Sequence, residues 1–213
     1  GTLVRKMDGR GYSLTVNEAG GVTFSVNGGD QASLSSDGKV NDGQWHHLAL
    51  VSEGVSSHKF YVDGVLNDSS TDTRISVSQA LNPLYIGRLV DASTVYFNGD
   101  IDEVAVWDKA LTETEIQARK AEKLLGDEEN LVTYYSFDND AANDKAMTFD
   151  GVDDYVRIQS PVNIPEGNSS YTEAAWVKCL WSQAPEGKVN VIMGRGAEST
   201  NNVVLLLVDR TGQ

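Results

Sequence analysis

The sequence predicts an all-β protein, an antiparallel β-sandwich with one short surface helix. Short segments in which apolar and polar residues alternate recur along the chain, and this period of two is typical of half-buried strands. Clusters of Gly, Asn, Asp and Ser separate the segments, as expected for turns. Helix signals are nearly confined to one stretch, so we expect strands to form the core.

The alternating segments predict strands throughout the chain. In order they are YSLTV, VTFSV, HHLALV, KFYVDGV, LYIGRL, DIDEVAVW, VTYYSF, DYVRI, EAAWVK and VNVIMG. Turn sequences such as NEAGG, VNGGD, NDGQ and DGVDD lie between them. The Val-Asp-Gly triplet within KFYVDGV predicts a tight hairpin that presents a ribbon at the surface.

The predicted strand in DGQWHHLALV carries two adjacent histidines. Alternation places Trp45, His47 and Ala49 on one face, and His46, Leu48 and Leu50 on the other. Because the two histidines point to opposite faces, they cannot jointly hold one metal ion. We interpret both as packing and hydrogen-bonding residues.

The helix signal covers residues 112–125. Thr112 is a suitable N-cap, and Glu115 three residues later completes a capping box. Gly126 is suited to end the helix. Its apolar residues, beginning with Ile116, are sparse, which predicts a helix that lies on the sandwich and is not buried in it.

Composition restricts the partners and the compartment. The chain has 213 residues and a formal charge of −14, from 31 acidic and 17 basic residues. A strongly acidic chain is unsuited to non-specific binding of nucleic acid or of an anionic membrane, whereas calcium, neutral sugars or a basic protein face suit it. Cys179 is the only cysteine, so no intrachain disulfide can form. The longest apolar run, VVLLLV, has the length of a core strand and not of a membrane helix.

Two further features bear on processing. The chain begins at Gly1 without a methionine or a signal-peptide pattern, so we expect a piece of a longer protein. Asn67 and Asn168 each begin an Asn-X-Ser triplet, and both would accept a glycan in a eukaryotic secretory pathway.

Several motifs in order indicate a family. The series YSLTVNEAGGVTFSVNGG, DGQWHHLALV, KFYVDGVL, LYIGR and YFNGDIDEVAVWDKALTETEI spans residues 12–116. It resembles the later part of a laminin G-like jelly roll of the concanavalin A-like superfamily. The resemblance implies a jelly-roll sandwich in an extracellular protein, secreted or at the cell surface.

The second part of the chain resembles the beginning of the same kind of domain. LVTYYSFDND, AMTFDGVDDYVRI and YTEAAWVK match the first strands of a laminin G-like domain in order. Residues 1–126 would therefore supply the later strands of one repeat, and residues 131–213 the early strands of the next. The likeness of residues 191–213 to residues 3–21 supports a tandem array cut out of phase with its repeats.

Half a sandwich would expose its core and its strand edges, which leaves two arrangements. Either the two parts close into one circularly permuted sandwich, or neighbouring copies complete each other, as in a domain swap or filament. We favour closure within the chain, because a jelly roll brings its first and last strands side by side and the link from residue 126 to residue 131 is short. The likeness of residues 191–213 to residues 3–21 argues against closure, because both segments would supply the same strands and one strand pair would be surplus.

The resemblance also implies a structural calcium ion near the place where the first and last strands meet. The matching positions are Asp138 in YSFDND and Asp102 in GDIDEVAVW, and Asp140 with nearby carbonyls could complete the oxygen shell. Asn and Asp also serve simply as turn residues, which is the alternative. In FDGVDDYV, which resembles the early hairpin of the family, we interpret Asp150, Asp153 and Asp154 as shaping and solvating a turn, with metal binding as the less favoured alternative.

An enzyme of this fold would need a suitable pair of carboxylates. A retaining glycosidase places two of them about 5 Å apart on one face. The nearest candidates are Asp100, Asp102, Asp108, Glu113 and Glu115. Asp102 and Glu103 are adjacent and are expected to face opposite sides, and the two glutamates lie in the predicted helix. We therefore interpret the chain as non-catalytic.

Two non-catalytic functions remain. One is a structural or adhesion module of a tandem array, which contacts neighbouring repeats or another protein, and the tandem organisation favours it. The other is a carbohydrate-binding, lectin-like module. For the latter Trp181, Tyr96 and Arg88 are candidate ligand-binding residues because they lie in or near predicted loops, although each could equally be a packing residue.

Overall fold

The computed structural model describes most of the chain. The described residues are 12–16, 22–26, 32–36, 39–72, 84–88, 96–138, 145–159, 163–165, 169–179, 189–197 and 200–209. Within these ranges the chain forms antiparallel sheets and one helix, so the all-β prediction is confirmed.

The strands follow the predicted order, with additional short ones. The elements are β1 (Tyr12–Val16), β2 (Val22–Val26), β3 (Ala32–Ser35), β4 (His46–Ser52), β5 (His58–Val62), β6 (Val65–Ser70), β7 (Leu84–Ile86), β8 (Asn98–Trp107), α1 (Glu113–Ala121), β9 (Leu131–Tyr135), β10 (Met147–Asp150), β11 (Val156–Ile158), β12 (Tyr171–Cys179), β13 (Val189–Ala197) and β14 (Thr200–Asp209).

A seven-stranded sheet forms the centre of the described structure. Its order is β10-β8-β12-β4-β5-β6, and β9 pairs with the second half of β8. Strand β12 therefore lies between β4 and β8, with Ala174 opposite Ala49 on one side and opposite Ala105 on the other. Strands from before and after α1 thus alternate in one sheet. Smaller sheets, β1-β2-β3 and β11-β7-β13-β14, complete the layers.

Two apolar clusters cover the two faces of the seven-stranded sheet. The main core contains Leu48, Leu50 and Val104 from this sheet, together with Tyr85 and Ile192 from the four-stranded sheet. The second cluster, on the helix side, contains Ala49, Val51, Tyr61, Ala105, Trp107 and Ile116. The alternation predicted for HHLALV is confirmed, because Ala49 belongs to one cluster and Leu48 and Leu50 belong to the other.

The helix begins as predicted but ends early. Thr112 Oγ1 accepts a hydrogen bond from the Glu115 amide, and the Glu115 carboxylate accepts one from the Thr112 amide. The last helical residue is Ala121, so the prediction that Gly126 ends the helix is wrong. The chain is already extended at Glu122, and the buried Leu124 then packs into the second cluster.

The hairpin predicted at Val-Asp-Gly is present, but it is not a surface ribbon. Asp63 and Gly64 both have positive φ, 53° and 76°, as a two-residue type I′ turn requires. Strand β5 is largely buried because it pairs with β4 on its other side, and only β6 is exposed at the sheet edge.

The segment expected to form an early hairpin instead connects two sheets. Strand β10 pairs with β8, whereas β11 pairs with β7 in the four-stranded sheet. Gly87, next to β7, has φ 80°, and a Cβ atom there would lie 2.3 Å from Cε1 of the buried Phe149 on β10. The Phe149 ring therefore packs directly against the Gly87 backbone, at a point where β10 of one sheet lies close to β7 of the other.

Candidate functional site

A β-bulge in β8 gives the most distinctive local geometry of the central sheet. Glu103 and Val104 together lie opposite a single residue of β12, Ala175, because the register shifts between Ala174 and Trp176. Glu103 has φ 50°, which is uncommon for a residue with a side chain. As a result Asp102 and Glu103 line the same pocket, and the expectation that they face opposite sides is wrong.

This pocket has a volume of about 350 Å³ and lies between the central sheet and the end of α1. Its lining includes Trp45, Asp102, Glu103, Lys120, Lys123 and Trp176. The set combines two indole rings with charged groups of both signs. It is the kind of concave, partly aromatic surface at which proteins bind ligands.

Neighbouring strands position the pocket's aromatic wall. Trp176 on β12 lies opposite Asp102 on β8 and His47 on β4, so the three form one row across the sheet. The His47 and Trp176 rings meet edge to face, with centroids 5.4 Å apart. Burial lowers the pKa of His47 to about 4, so this ring is neutral at neutral pH. Trp45 precedes β4 and is 39% exposed.

Glu103 connects the pocket to strand β9. Its Oε2 accepts a 2.7 Å hydrogen bond from the Tyr134 hydroxyl, and the Leu124 backbone also hydrogen-bonds to this carboxylate. Burial raises the pKa of Glu103, and the hydrogen bonds from Tyr134 and the Leu124 backbone, together with the charge of Lys123, offset this only in part.

The predicted calcium ligands are engaged in contacts within the protein. Asp138 Oδ2 lies 2.7 Å from the Lys123 ammonium nitrogen, and its Oδ1 accepts a hydrogen bond from the Lys145 amide. Asp102 Oδ1 accepts one from the amide of the next residue. Calcium would have to displace Lys123 to bind Asp138, so these described residues do not fit a preformed calcium site. Asp140 lies outside the described residues, and calcium binding stays a prediction.

The acidic turn after β10 is arranged as the sequence suggested. Asp150 Oδ1 accepts a hydrogen bond from the Val152 amide, and Asp154 Oδ2 accepts one from the Asp150 amide. Asp150, Asp153 and Asp154 are all exposed, with carboxylate oxygens within 4.8 Å of one another. These bonds account for the turn without a metal.

Two of the candidate sugar-binding residues lie together in a tyrosine cluster. Arg88 pairs with Tyr96 through a backbone bridge, and its guanidinium carbon lies 4.7 Å from the ring centroid of Tyr155 and 5.9 Å from that of Tyr96. Tyr155 is 42% exposed, so part of this cluster faces solvent. Trp181, the third candidate, lies outside the described residues.

The structure describes one of the two predicted glycan acceptors. Asn67 lies on β6, and its Nδ2 donates to the Val65 carbonyl oxygen at 2.9 Å. Glycosylation of Asn67 stays a prediction, as does that of Asn168, which lies outside the described residues.

Comparison with known proteins places the fold in a family. A laminin G model, described as the concanavalin A-like lectin/glucanases superfamily, matches residues 1–117. The chain belongs to this family. The match confirms the resemblance drawn from the motifs of residues 12–116.

A similar curated protein is the sushi, von Willebrand factor type A, EGF and pentraxin domain-containing protein 1 of Rattus norvegicus. It is 28% identical over 116 residues, which is 50% of this chain and 3% of the relative's length. No solved structure matches the chain significantly. In the described part of the chain, no helix has both the length and the apolar character needed to cross a membrane.

Proposed function

We propose that this chain is a non-catalytic structural or adhesion module of a tandem laminin G-like array in an extracellular protein, acting through contacts with neighbouring repeats or another protein. The position of β12 is the main support. This strand belongs to the part that resembles the start of a repeat, and it pairs on both sides with strands of the part that resembles the end of one. Strand pairing across a repeat boundary would join successive repeats firmly.

The acidic residues near β8 and α1 also favour a non-catalytic function. Glu115 pairs with Lys109 and caps the helix, and these contacts lower its pKa to about 2, opposite to what a general acid requires. Asp100 accepts a hydrogen bond from Thr148 and lies near Lys178. These contacts serve the fold, and laminin G-like domains are generally non-catalytic.

A polypeptide with two copies of the chain tests the array hypothesis. In repeat proteins each interface between neighbours adds to stability, so two copies should melt at a higher temperature than one. Calorimetry on the one-copy and two-copy proteins measures this difference. Identical melting temperatures, with each copy unfolding independently, would contradict the proposal.

A glycan array tests the lectin alternative on the same protein. The proposal predicts no reproducible glycan binding. Binding that is lost in Trp181→Ala, or in Tyr96→Phe and Arg88→Gln, would favour a carbohydrate-binding module. Release of reducing sugar from a β-glucan would instead favour an accessory or catalytic domain of a glycoside hydrolase.

A further inference from the structure

The tyrosine cluster, made of Arg88, Tyr85, Tyr96 and Tyr155, lies where β7 ends. Arg88 follows β7 by two residues, and a backbone bridge pairs it with Tyr96. Its guanidinium carbon lies 5.7 Å from the ring centroid of Tyr85, 5.9 Å from that of Tyr96 and 4.7 Å from that of Tyr155. Three aromatic rings therefore surround one positive charge.

The charge of Arg88 has no carboxylate partner within the described part of the chain. None of the ion pairs between described residues involves Arg88, and its buried Nε has no hydrogen-bond acceptor among them. Ring faces attract the charge but accept hydrogen bonds only weakly, so the N–H groups can still bind a stronger acceptor. A half-buried guanidinium without a counter-ion favours an anion at this position.

The tyrosine cluster combines a fixed inner ring with an outer ring that faces solvent. Tyr85 is fully buried on β7, which pairs with β11 on one side and with β13 on the other. Tyr155 is 42% exposed, and its ring centroid lies 6.0 Å from that of Tyr85. Tyrosine and arginine are among the residues most enriched at the centres of protein–protein interfaces, so this composition suits a protein partner.

We propose that the tyrosine cluster binds the carboxylate of an aspartate or glutamate side chain on a protein partner. The planar guanidinium of Arg88 would donate two hydrogen bonds to the carboxylate, and the exposed ring of Tyr155 would contact the methylene groups of the same side chain. The proposal rests on the proposed function, in which the chain acts through contacts with another protein, and it names the surface and the chemistry of one such contact.

The overall charge of the chain decides between sources of the carboxylate. A formal charge of −14 repels polyanions such as acidic polysaccharides at long range. Two separate copies of the chain repel each other for the same reason. A single carboxylate on a different protein, whose net charge need not be negative, avoids this repulsion.

An NMR titration of the whole 213-residue chain, observed at the arginine Nε–H signals, tests the proposal. The probe is Nα-acetyl-L-glutamic acid methylamide, and the matched neutral probe is Nα-acetyl-L-glutamine methylamide, both at constant ionic strength. We expect the acidic probe, and not the neutral one, to shift the Arg88 signal saturably. Arg119 on α1 also has a buried Nε without an acceptor among the described residues, and its signal should not move. No saturable shift at Arg88 up to the solubility limit of the acidic probe would overturn the proposal.

Variants separate a local effect from a general charge effect. Arg88→Lys keeps the charge but loses the planar fork, so binding followed at the Tyr155 ring signals should weaken by about fivefold. Tyr155→Ala, at an exposed position, should weaken binding at the Arg88 signal by about threefold and keeps the test decisive if Arg88→Lys does not fold. The control Arg119→Gln removes a guanidinium elsewhere and should leave the affinity unchanged. Equal weakening in all three variants would overturn the proposal.

Two further titrations identify other occupants. If sodium glucuronate shifts the Arg88 signal and the glutamic acid probe does not, the cluster binds an acidic sugar and the proposal is wrong. If the signal shifts when the chain alone is concentrated, a carboxylate of a second copy occupies the cluster and the proposal of a different partner is wrong. The probe titrations use one copy of the chain, so failure of the array experiment and failure of this proposal are distinguishable.

Discussion

Acidification should destabilise the fold through His47. This side chain is 4% exposed, and burial lowers its pKa from 6.5 to about 4. The charge of Asp63 opposes this shift, and that of Lys120 adds a smaller contribution in the same direction as burial. The unfolded chain therefore binds this proton more readily than the folded chain. The neutral ring's contribution to stability is complete above pH 6.5 and declines as the pH falls toward 4.

The magnitude follows from the two pKa values. At about pH 5 protonation favours the unfolded chain by roughly thirtyfold and leaves the folded chain almost unaffected, which lowers the free energy of unfolding by about 2 kcal/mol. The full loss, well below pH 4, approaches about 3 kcal/mol.

Urea unfolding of the wild type and of His47→Gln over this pH range measures the effect. The variant should be less stable at neutral pH because it loses the ring contact with Trp176, and its deficit should shrink by about 2 kcal/mol on going to pH 5. A deficit that does not change with pH would refute the reasoning.

His46 provides a control, because its effect on stability should change with pH in the opposite direction. Burial lowers the pKa of His46, but hydrogen bonds to Asp63 and Asp42 raise it above its ordinary value overall. Its protonated form therefore stabilises the fold below the unfolded pKa, and this contribution is lost as the pH rises through the folded pKa. The deficit of His46→Gln should grow as the pH falls.

The remaining predictions concern the packing of Phe149 against Gly87 and the ion pair between Lys123 and Asp138. Gly87→Ala should lower the free energy of unfolding more than Gly43→Ala does. Both positions have positive φ, but only at Gly87 does the new Cβ meet Phe149. We expect about 1 kcal/mol for Gly43→Ala and about 1–3 kcal/mol more for Gly87→Ala by urea unfolding, and equal costs would contradict the packing described. Lys123→Met frees the Asp138 carboxylate, so calcium should raise its melting temperature by about 2 °C more than that of the wild type, and equal responses would contradict competition between Lys123 and calcium.

The sequence was sufficient to predict the fold class and most strands, because each depends on a local pattern. Alternation in HHLALV separates Ala49 from Leu48 and Leu50 in the structure, and Thr112 with Glu115 forms the predicted capping box. The end of α1 depends on tertiary contacts instead. The helix ends at Ala121, and Leu124 after it packs into the second cluster, which no local pattern indicates.

The pocket could not be predicted because it depends on a bulge. Strict alternation would place Asp102 and Glu103 on opposite faces, whereas the register shift beside Trp176 brings both to the pocket. The face shared by Trp45 and His47 was predictable from sequence. The contact between this face and Trp176 could not be predicted, because it depends on the pairing of β12 with β4, which are far apart in the chain.

The pairing of β12 within its own chain is the central claim, and a designed disulfide tests it most directly. Ala49 and Ala174 lie directly opposite each other, both are buried, and opposed residues of neighbouring strands are close enough for a disulfide in favourable cases. The double variant Ala49→Cys/Ala174→Cys, made with Cys179→Ala to remove the native thiol, is oxidised and run on a non-reducing gel. Closure within the chain predicts a monomer band that migrates faster than its reduced form, with Ala49→Cys alone as the control. Disulfide-linked dimers or longer ladders would contradict it and show that neighbouring copies exchange strands.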